Sequence, residues 1–505
     1  MLYFVYFCAK ISQDIQFRLT IPLILNKFHA NEVKILHFMK REFAMSPETS
    51  LAAGLSDRPK DETQAYRPRR ADAERSSLAL ILSILREADA DTRPDIEKLT
   101  GLGRAIVSDR LATLFSLGLA EEGELGQTAG GRAPRTIQFN PNACLVLVAT
   151  LDQSRIGVGM ANLSGQLVAE HHESTDKAAG PVQIQKRLIT LFDWMLGQHR
   201  KDQKVWGIGI SAPGPVEESE NASPRLRLLP GWDEYPIVDH LLHHFRAPVW
   251  MRSGVQMMAY GEYKSGSAAG TRDIIYVNLG RSIGAGLISE GQLHRGAQGG
   301  AGLIGHVAVA DGHQYRCSCG NIGCLDTEAG ADAIARDGLA LATSGESRLL
   351  AETLAAEGFI AAADVSIAAQ SGDSAAAEIL ARAGRLIGTA LASLVNAFNP
   401  SLISLGGEVG QLDDILLAAI RESVYRSSHP LVTRDLRIQR SALGNSAGLA
   451  GAALVVTDSI FAPDSVVNWI GSGAPQLSES VLRQIARADQ TVAGNAARPA
   501  PPAVA

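Results

Sequence analysis

Cysteine is scarce in this chain, with five in 505 residues. Cys8 and Cys144 stand far from one another and from the rest, so no disulfide framework is predicted and a reducing, cytoplasmic setting fits best. Aromatic residues make up only 5%, while Ala and Gly are abundant, which suits close-packed helices and tight turns. No run of about 18 apolar residues is available to span a bilayer. Leu2 to Phe7 is apolar but short, and no basic flank precedes it, so it makes a poor signal peptide. Positive charge is not in excess either. The formal net charge is −6, so contact with nucleic acid requires a local basic patch. The remaining composition, 46% hydrophobic and 20% charged, is ordinary for a soluble globular chain, and the length allows about two to four domains.

The few cysteines are concentrated. Gly305-His306 is followed by Cys317-Ser318-Cys319-Gly320-Asn321-Ile322-Gly323-Cys324. Three thiolates and an imidazole are the ligand set of a tetrahedral structural zinc, and the two glycines let the backbone fold tightly enough for convergence. The predicted metal ligands are therefore His306, Cys317, Cys319 and Cys324, holding Zn2+. Free buried thiols beside an unrelated histidine are the alternative, which the tight spacing disfavours.

Texture changes along the chain. Residues 1–44 are rich in Phe, Ile and Lys, and Met45 is expected to be the natural start. Ser46 to Arg75 is polar and Pro-rich and reads as a disordered lead-in, so residues 1–75 are set apart. From Ser76 the period is helical: Leu78, Ile81, Leu82 and Leu85 share one face. Thr92-Arg93-Pro94 opens a second helix with Ile96, Leu99 and Leu102 inward, and a third buries Val107, Leu111 and Leu114. Gly130-Gly131-Arg132-Ala133-Pro134-Arg135 then runs into an alternating strand. Three short helices and a basic hairpin predict a winged helix-turn-helix over 76–141. Such a unit needs one apolar face for docking and one polar face for base edges. Arg104, Ser108 and Arg110 on the third helix, with Arg132 and Arg135 on the wing, are the candidate DNA contacts. Leu145–Leu151, Gln203–Ile210 and Ile274–Leu279 read as strands, and 328–398 as Ala-rich helix, so residues 142–460 predict two α/β lobes around a cleft. Residues 461–505 read as a tail without periodicity.

These segments carry a resemblance. Gly207-Ile208-Gly209-Ile210-Ser211-Ala212-Pro213-Gly214-Pro215-Val216, Gly231-Trp232 before Pro236, Gly300-Ala301-Gly302-Leu303-Ile304-Gly305-His306, the cysteine cluster, Leu405-Gly406-Gly407 and Gly448 to Ala453 together resemble the ROK family. That family comprises repressors, open reading frames and sugar kinases, and the likeness is to its regulators of the xylose and N-acetylglucosamine type. It covers about residues 76–457. It implies an actin-like, ribonuclease-H-like pair of lobes, zinc on the four ligands above, and a sugar-sized cleft.

Chemistry decides whether that cleft reacts. Phosphoryl transfer to a sugar needs a carboxylate to take the hydroxyl proton. The family's kinases carry it in Glu-Asn-Asp-Ala-Asn, where this chain has Arg252-Ser253-Gly254-Val255-Gln256. Gly254 occupies the base position and Ser253 replaces the sugar-holding Asn. The phosphate turns are also altered, to Asp152-Gln153-Ser154-Arg155 and Gly280-Arg281-Ser282, and Leu303 replaces a sugar-contacting Glu. Ser253, His306 and Asp326 remain as candidate ligand contacts; purely structural service to the metal loop is the other reading of the last two.

The expectation is a cytoplasmic transcriptional regulator, a repressor, with no enzymatic activity and no membrane association. Its partners would be operator DNA, a sugar or related effector, and copies of itself in a homodimer or homotetramer. A sugar kinase with an accessory DNA-binding domain, and a ligand-independent DNA-binding or scaffold protein, are the rivals.

Overall fold

The computed structural model describes residues 70–496, apart from 126–134, 153–154, 176–179, 200–202, 220–221, 227–231, 233–234, 310–314 and 411–413. The expectations for Met45 and the lead-in lie outside these residues.

The first apolar stripe forms α1 (Arg70–Glu87), in which Leu78, Ile81, Leu82 and Leu85 are all buried. Thr92 caps α2 (Arg93–Thr100) by accepting from the Asp95 N–H; Pro94 lies in its first turn and Gly101, at φ 67°, ends it. Val107, Leu111 and Leu114 form the buried stripe of α3 (Arg104–Ser116). Leu99, expected inward, is instead 56% exposed. The helix has barely two turns, and Ile96 alone is its buried anchor. An antiparallel hairpin follows, β1 (Ala120–Leu125) with β2 (Arg135–Phe139).

The first lobe is built on β3 (Leu145–Leu151), β4 (Arg155–Ala161), β5 (Leu167–Ser174), α4 (Pro181–His199) and β6 (Val205–Ala212). A small hairpin, β7 (Val216–Ser219) with β8 (Ala222–Leu226), precedes α5 (Ile237–Phe245), β9 (Val249–Ser253) and α6 (Gly254–Ser265). Its five-stranded sheet has the order β5-β4-β3-β6-β9. Central β3 is apolar on both faces, as a doubly covered strand must be. Leu145, Leu147 and Ala149 meet the α4–α5 core, and Val146 and Val148 the core on the opposite side.

The second lobe repeats this plan with β10 (Ile274–Leu279), β11 (Ile283–Ser289), β12 (Gln292–His294), β13 (Leu402–Gly406) and β14 (Arg437–Arg440), in the order β12-β11-β10-β13-β14. In both sheets the central strand has an antiparallel meander on one side and parallel strands on the other. Between β12 and β13 lie α7 (Leu325–Ala329), α8 (Ala331–Ser344), α9 (Arg348–Glu357), α10 (Ala362–Gln370) and α11 (Ser374–Phe398); α12 (Gly407–Gly410), α13 (Asp414–Ser427) and α14 (Pro430–Thr433) precede β14. α15 (Ala447–Ile460) then returns to the first lobe and crosses α6 at backbone contact: a Cβ on Gly451 would lie 1.7 Å from the Met257 carbonyl oxygen.

Residues 461–496 are not a tail. They form α16 (Pro463–Trp469) and α17 (Glu479–Ala496), and Val466, Trp469, Ile470, Val481, Ile485 and Ala488 are buried. α16 packs on α1 and α17 on α5. The spacing Val481, Ile485, Ala488 is a helical stripe; the final nine residues lie outside the described part. A single core joins the N-terminal helices to the first lobe, running from Leu78 and Ile137 through Val146 and Trp206 to Val456 and Trp469. No single helix among the described residues is long and apolar enough to cross a membrane.

Candidate functional site

The cysteine loop is shaped by its own backbone. The Cys317 N–H donates to the Asn321 carbonyl at 2.8 Å, Leu325 N–H to Val307 at 2.9 Å, and Gly320 and Gly323 take positive φ values of 96° and 71°. Nδ1 of His306 comes to 3.5 Å from Cys317 Sγ, and Cys319 Sγ to 3.6 Å from Cys324 Sγ. All four ligand atoms lie within 4.8 Å of one another. Tetrahedral binding at about 2.0–2.3 Å separates ligand atoms by about 3.3–3.8 Å, so the group fits a metal ion. A backbone N–H from Asn321 pulls the exposed Cys319 thiol down, whereas burial, reinforced by Cys319 and Cys317, pushes Cys324 up to about 12. A bound cation would offset that crowding of thiolates.

Asp326, two residues past the last cysteine, is held by β11 and the turn before it. It accepts from the Ile283 N–H at 2.7 Å and from Ser282 Oγ at 3.2 Å, and burial pushes its carboxyl up against those hydrogen bonds. Ser282 belongs to the altered second phosphate turn. There Arg281 is held by Asp332 at 3.1 Å, and Asn278 donates to the Ser282 carbonyl at 3.3 Å. In the first lobe, buried Ser253 ends β9 and Gly254 begins α6. A Cβ on Gly254 would sit 3.3 Å from the Ala212 carbonyl. Leu303 is 44% exposed beside the loop that bears His306.

Sequence reasoning passed over two arginines. Arg252 is the penultimate residue of β9 and lies opposite Ser211. Arg295 belongs to the other lobe's loop, which Gln256 on α6 holds through the Gly299 carbonyl at 2.9 Å. Burial, with Arg295 adding to it, pushes the Arg252 guanidinium down to about 10. The signal was legible: a basic residue stands in the stretch where the family carries acid.

On the N-terminal unit, Arg104 and Ser108 lie exposed on α3. Arg110 does not join them. Its side chain is only 14% exposed, its Nε donates to Ser77 Oγ at 2.9 Å, and Nη1 lies 3.4 Å from Glu74. It braces α1 against α3. Arg135 is exposed at the start of β2, 3.7 Å from Glu122. Arg132 lies outside the described residues.

Residues 153–459 match the ROK family, and the chain belongs to it. Among its relatives, a xylose repressor of Caldicellulosiruptor bescii is 27% identical over 391 residues, 76% of this chain and 96% of its own length. A glucokinase of Halalkalibacterium halodurans is 30% identical over 302 residues, 60% of this chain and 91% of its own. The crystal structure of a ROK family transcriptional regulator, a homologue of Escherichia coli Mlc, superposes with a TM-score of 0.63 at 22% identity. It covers 82% of this chain and 100% of that one.

Proposed function

We propose that this protein is a cytoplasmic DNA-binding transcriptional regulator, a repressor, whose ROK domain senses a sugar or related small molecule and transfers no phosphate. The observation that carries the reading is Gly254. Where a proton acceptor is required there is no side chain, and the Ala212 carbonyl closes over the position. The Arg281–Asp332 pair in the second phosphate turn supports it, since that turn is already engaged within the chain. The repeated sheet topology supports an actin-like, ribonuclease-H-like pair of lobes.

For the N-terminal unit we read a winged helix-turn-helix. The order α1-α2-α3-β1-β2 and the exposure of Arg104 and Ser108 support it, as does the longer alignment with the repressor than with the glucokinase. The ion on His306, Cys317, Cys319 and Cys324 is read as structural zinc, fixing the cleft wall that also bears Leu303. Ser253, His306 and Asp326 are the candidate ligand contacts, and binding as a homodimer or homotetramer would match paired half-sites. The glucokinase relationship favours the rival reading, a kinase. Coupled ADP release over a sugar panel, run beside binding to duplexes from the gene's own upstream region, separates the two. Sugar-dependent ADP release without duplex binding would overturn the regulator.

A further inference from the structure

Helices α6 and α15 both start at the cleft and converge on one carboxylate far from it. α6 begins at Gly254, and α15 begins where a Cβ on Gly448 would meet Thr150 Cγ2 at 2.7 Å and Ser211 Oγ at 3.4 Å. Their crossing leaves no slack: a Cβ on Gly261 would lie 2.4 Å from the Ala447 carbonyl, and one on Gly451 1.7 Å from that of Met257. Backbones in such contact cannot slide independently, because close-packed interiors transmit displacement rather than absorb it. Near the far end of α15, Asp458 Oδ2 accepts from the Tyr260 hydroxyl of α6 at 2.5 Å. Asp458 Oδ1 lies 3.8 Å from Arg86 of α1. The Arg86 guanidinium stacks 4.2 Å from the Phe461 ring and 6.0 Å from that of Phe139, the last residue of β2. Phe139 and Phe461 meet edge to face at 5.6 Å.

Arg86 thus touches the first helix, the end of the hairpin and the end of α15 at once. Its burial opposes its charge, and Asp458 offsets this. We propose that the α6–α15 pair is a lever carrying rearrangement of the cleft to the N-terminal unit, with Asp458 as its joint and Arg86 as its attachment. Tyr260 reports the position of α6 to Asp458, and Arg86 passes it to α1 and β2. This rests on reading the N-terminal unit as DNA-binding.

The test uses full-length Tyr260→Phe, Arg86→Met and their double variant, with two readouts. One is amide exchange by mass spectrometry; the other is affinity for duplexes from the gene's own upstream region. Tyr260→Phe lies outside the N-terminal unit, yet should speed exchange in residues 73–116 and change duplex affinity several-fold. Arg86→Met should speed exchange in residues 254–265. The double variant should exceed neither single by much, while α11 in the second lobe stays unchanged as control. Changes confined to each variant's own unit, or strictly additive effects, would overturn the lever. If the wild type binds no upstream duplex, the DNA-binding reading fails, and exchange alone decides the coupling. Unchanged exchange with intact duplex binding sinks the lever and leaves that reading standing.

Discussion

Gly254 and Ala212 face each other at the start of α6, where a Cβ on the glycine would come 3.3 Å from the alanine carbonyl. One carbonyl crowds this position and the phosphate turns are altered as well, so restoring a carboxylate alone should not restore chemistry. Gly254→Asp is expected to give no sugar-dependent ADP release and to cost about 1–3 kcal/mol in urea unfolding through overpacking. Turnover above background in the coupled assay would refute this.

Removing one metal ligand should be felt by the whole loop. With Cys319→Ser, the remaining three donors hold an ion more weakly than the second-shell losses of about 10–100-fold seen at other metal sites. Metal content after dialysis should fall, and the melting temperature should fall with it. A variant that keeps stoichiometric zinc and its wild-type melting point would show Cys319 to be a bystander.

Glu262 supplies the pH dependence. This carboxylate is completely buried on α6. It accepts from the Ser267 N–H at 3.0 Å, the Ser441 hydroxyl at 2.8 Å, and the Ala442 and Leu443 N–H groups at 2.9 and 3.3 Å. Burial raises its pKa, but these donors together outweigh burial and hold it below its ordinary 4.5. A depressed folded pKa gives stability that is complete above 4.5 and lost as pH falls through the folded value. Glu262→Gln should therefore lower stability at pH 7 by about 1.5–3 kcal/mol, and its deficit should shrink below pH 4.5. A deficit constant from pH 7 to pH 3 would remove the assignment.

Much of this architecture was legible in residue order. The β3 and β10 strands announce themselves as near-continuous apolar runs, interrupted only by Thr150 and Asn278, because both faces are covered. The candidate metal group was legible too, since its three cysteines fall within eight residues on a turn bearing two glycines. What escaped reading depends on packing between distant segments. The hydrogen bonds that Asp326 accepts from the Ile283 N–H and the Ser282 hydroxyl join segments more than forty residues apart. Residues 461–496 read as a tail because α16 and α17 gain stability from the surfaces of α1 and α5 on which they lie. Arg295 bears electrostatically on Arg252 across 43 positions of sequence, which no local pattern announces.

Arg110 stands apart from the other candidates on α3, and it yields the sharpest discrimination. Along α3, Arg104 and Ser108 are four apart and share a face, whereas Arg110 falls between Val107 and Leu111 beside the buried stripe. Its contacts with Ser77 and Glu74 make it a brace between helices. Arg110→Ala should therefore lower the melting temperature and leave the salt slope of duplex binding unchanged. Arg104→Ala should leave melting unchanged and cost about 1–3 kcal/mol of specific affinity. Arg135→Ala, at an exposed hairpin position, should weaken binding to all duplexes alike and reduce the salt slope by about 1. Fluorescence anisotropy across a salt series, with a melt of each variant, separates the three roles. An Arg110→Ala protein that melts normally but loses its operator would return that residue to the DNA face.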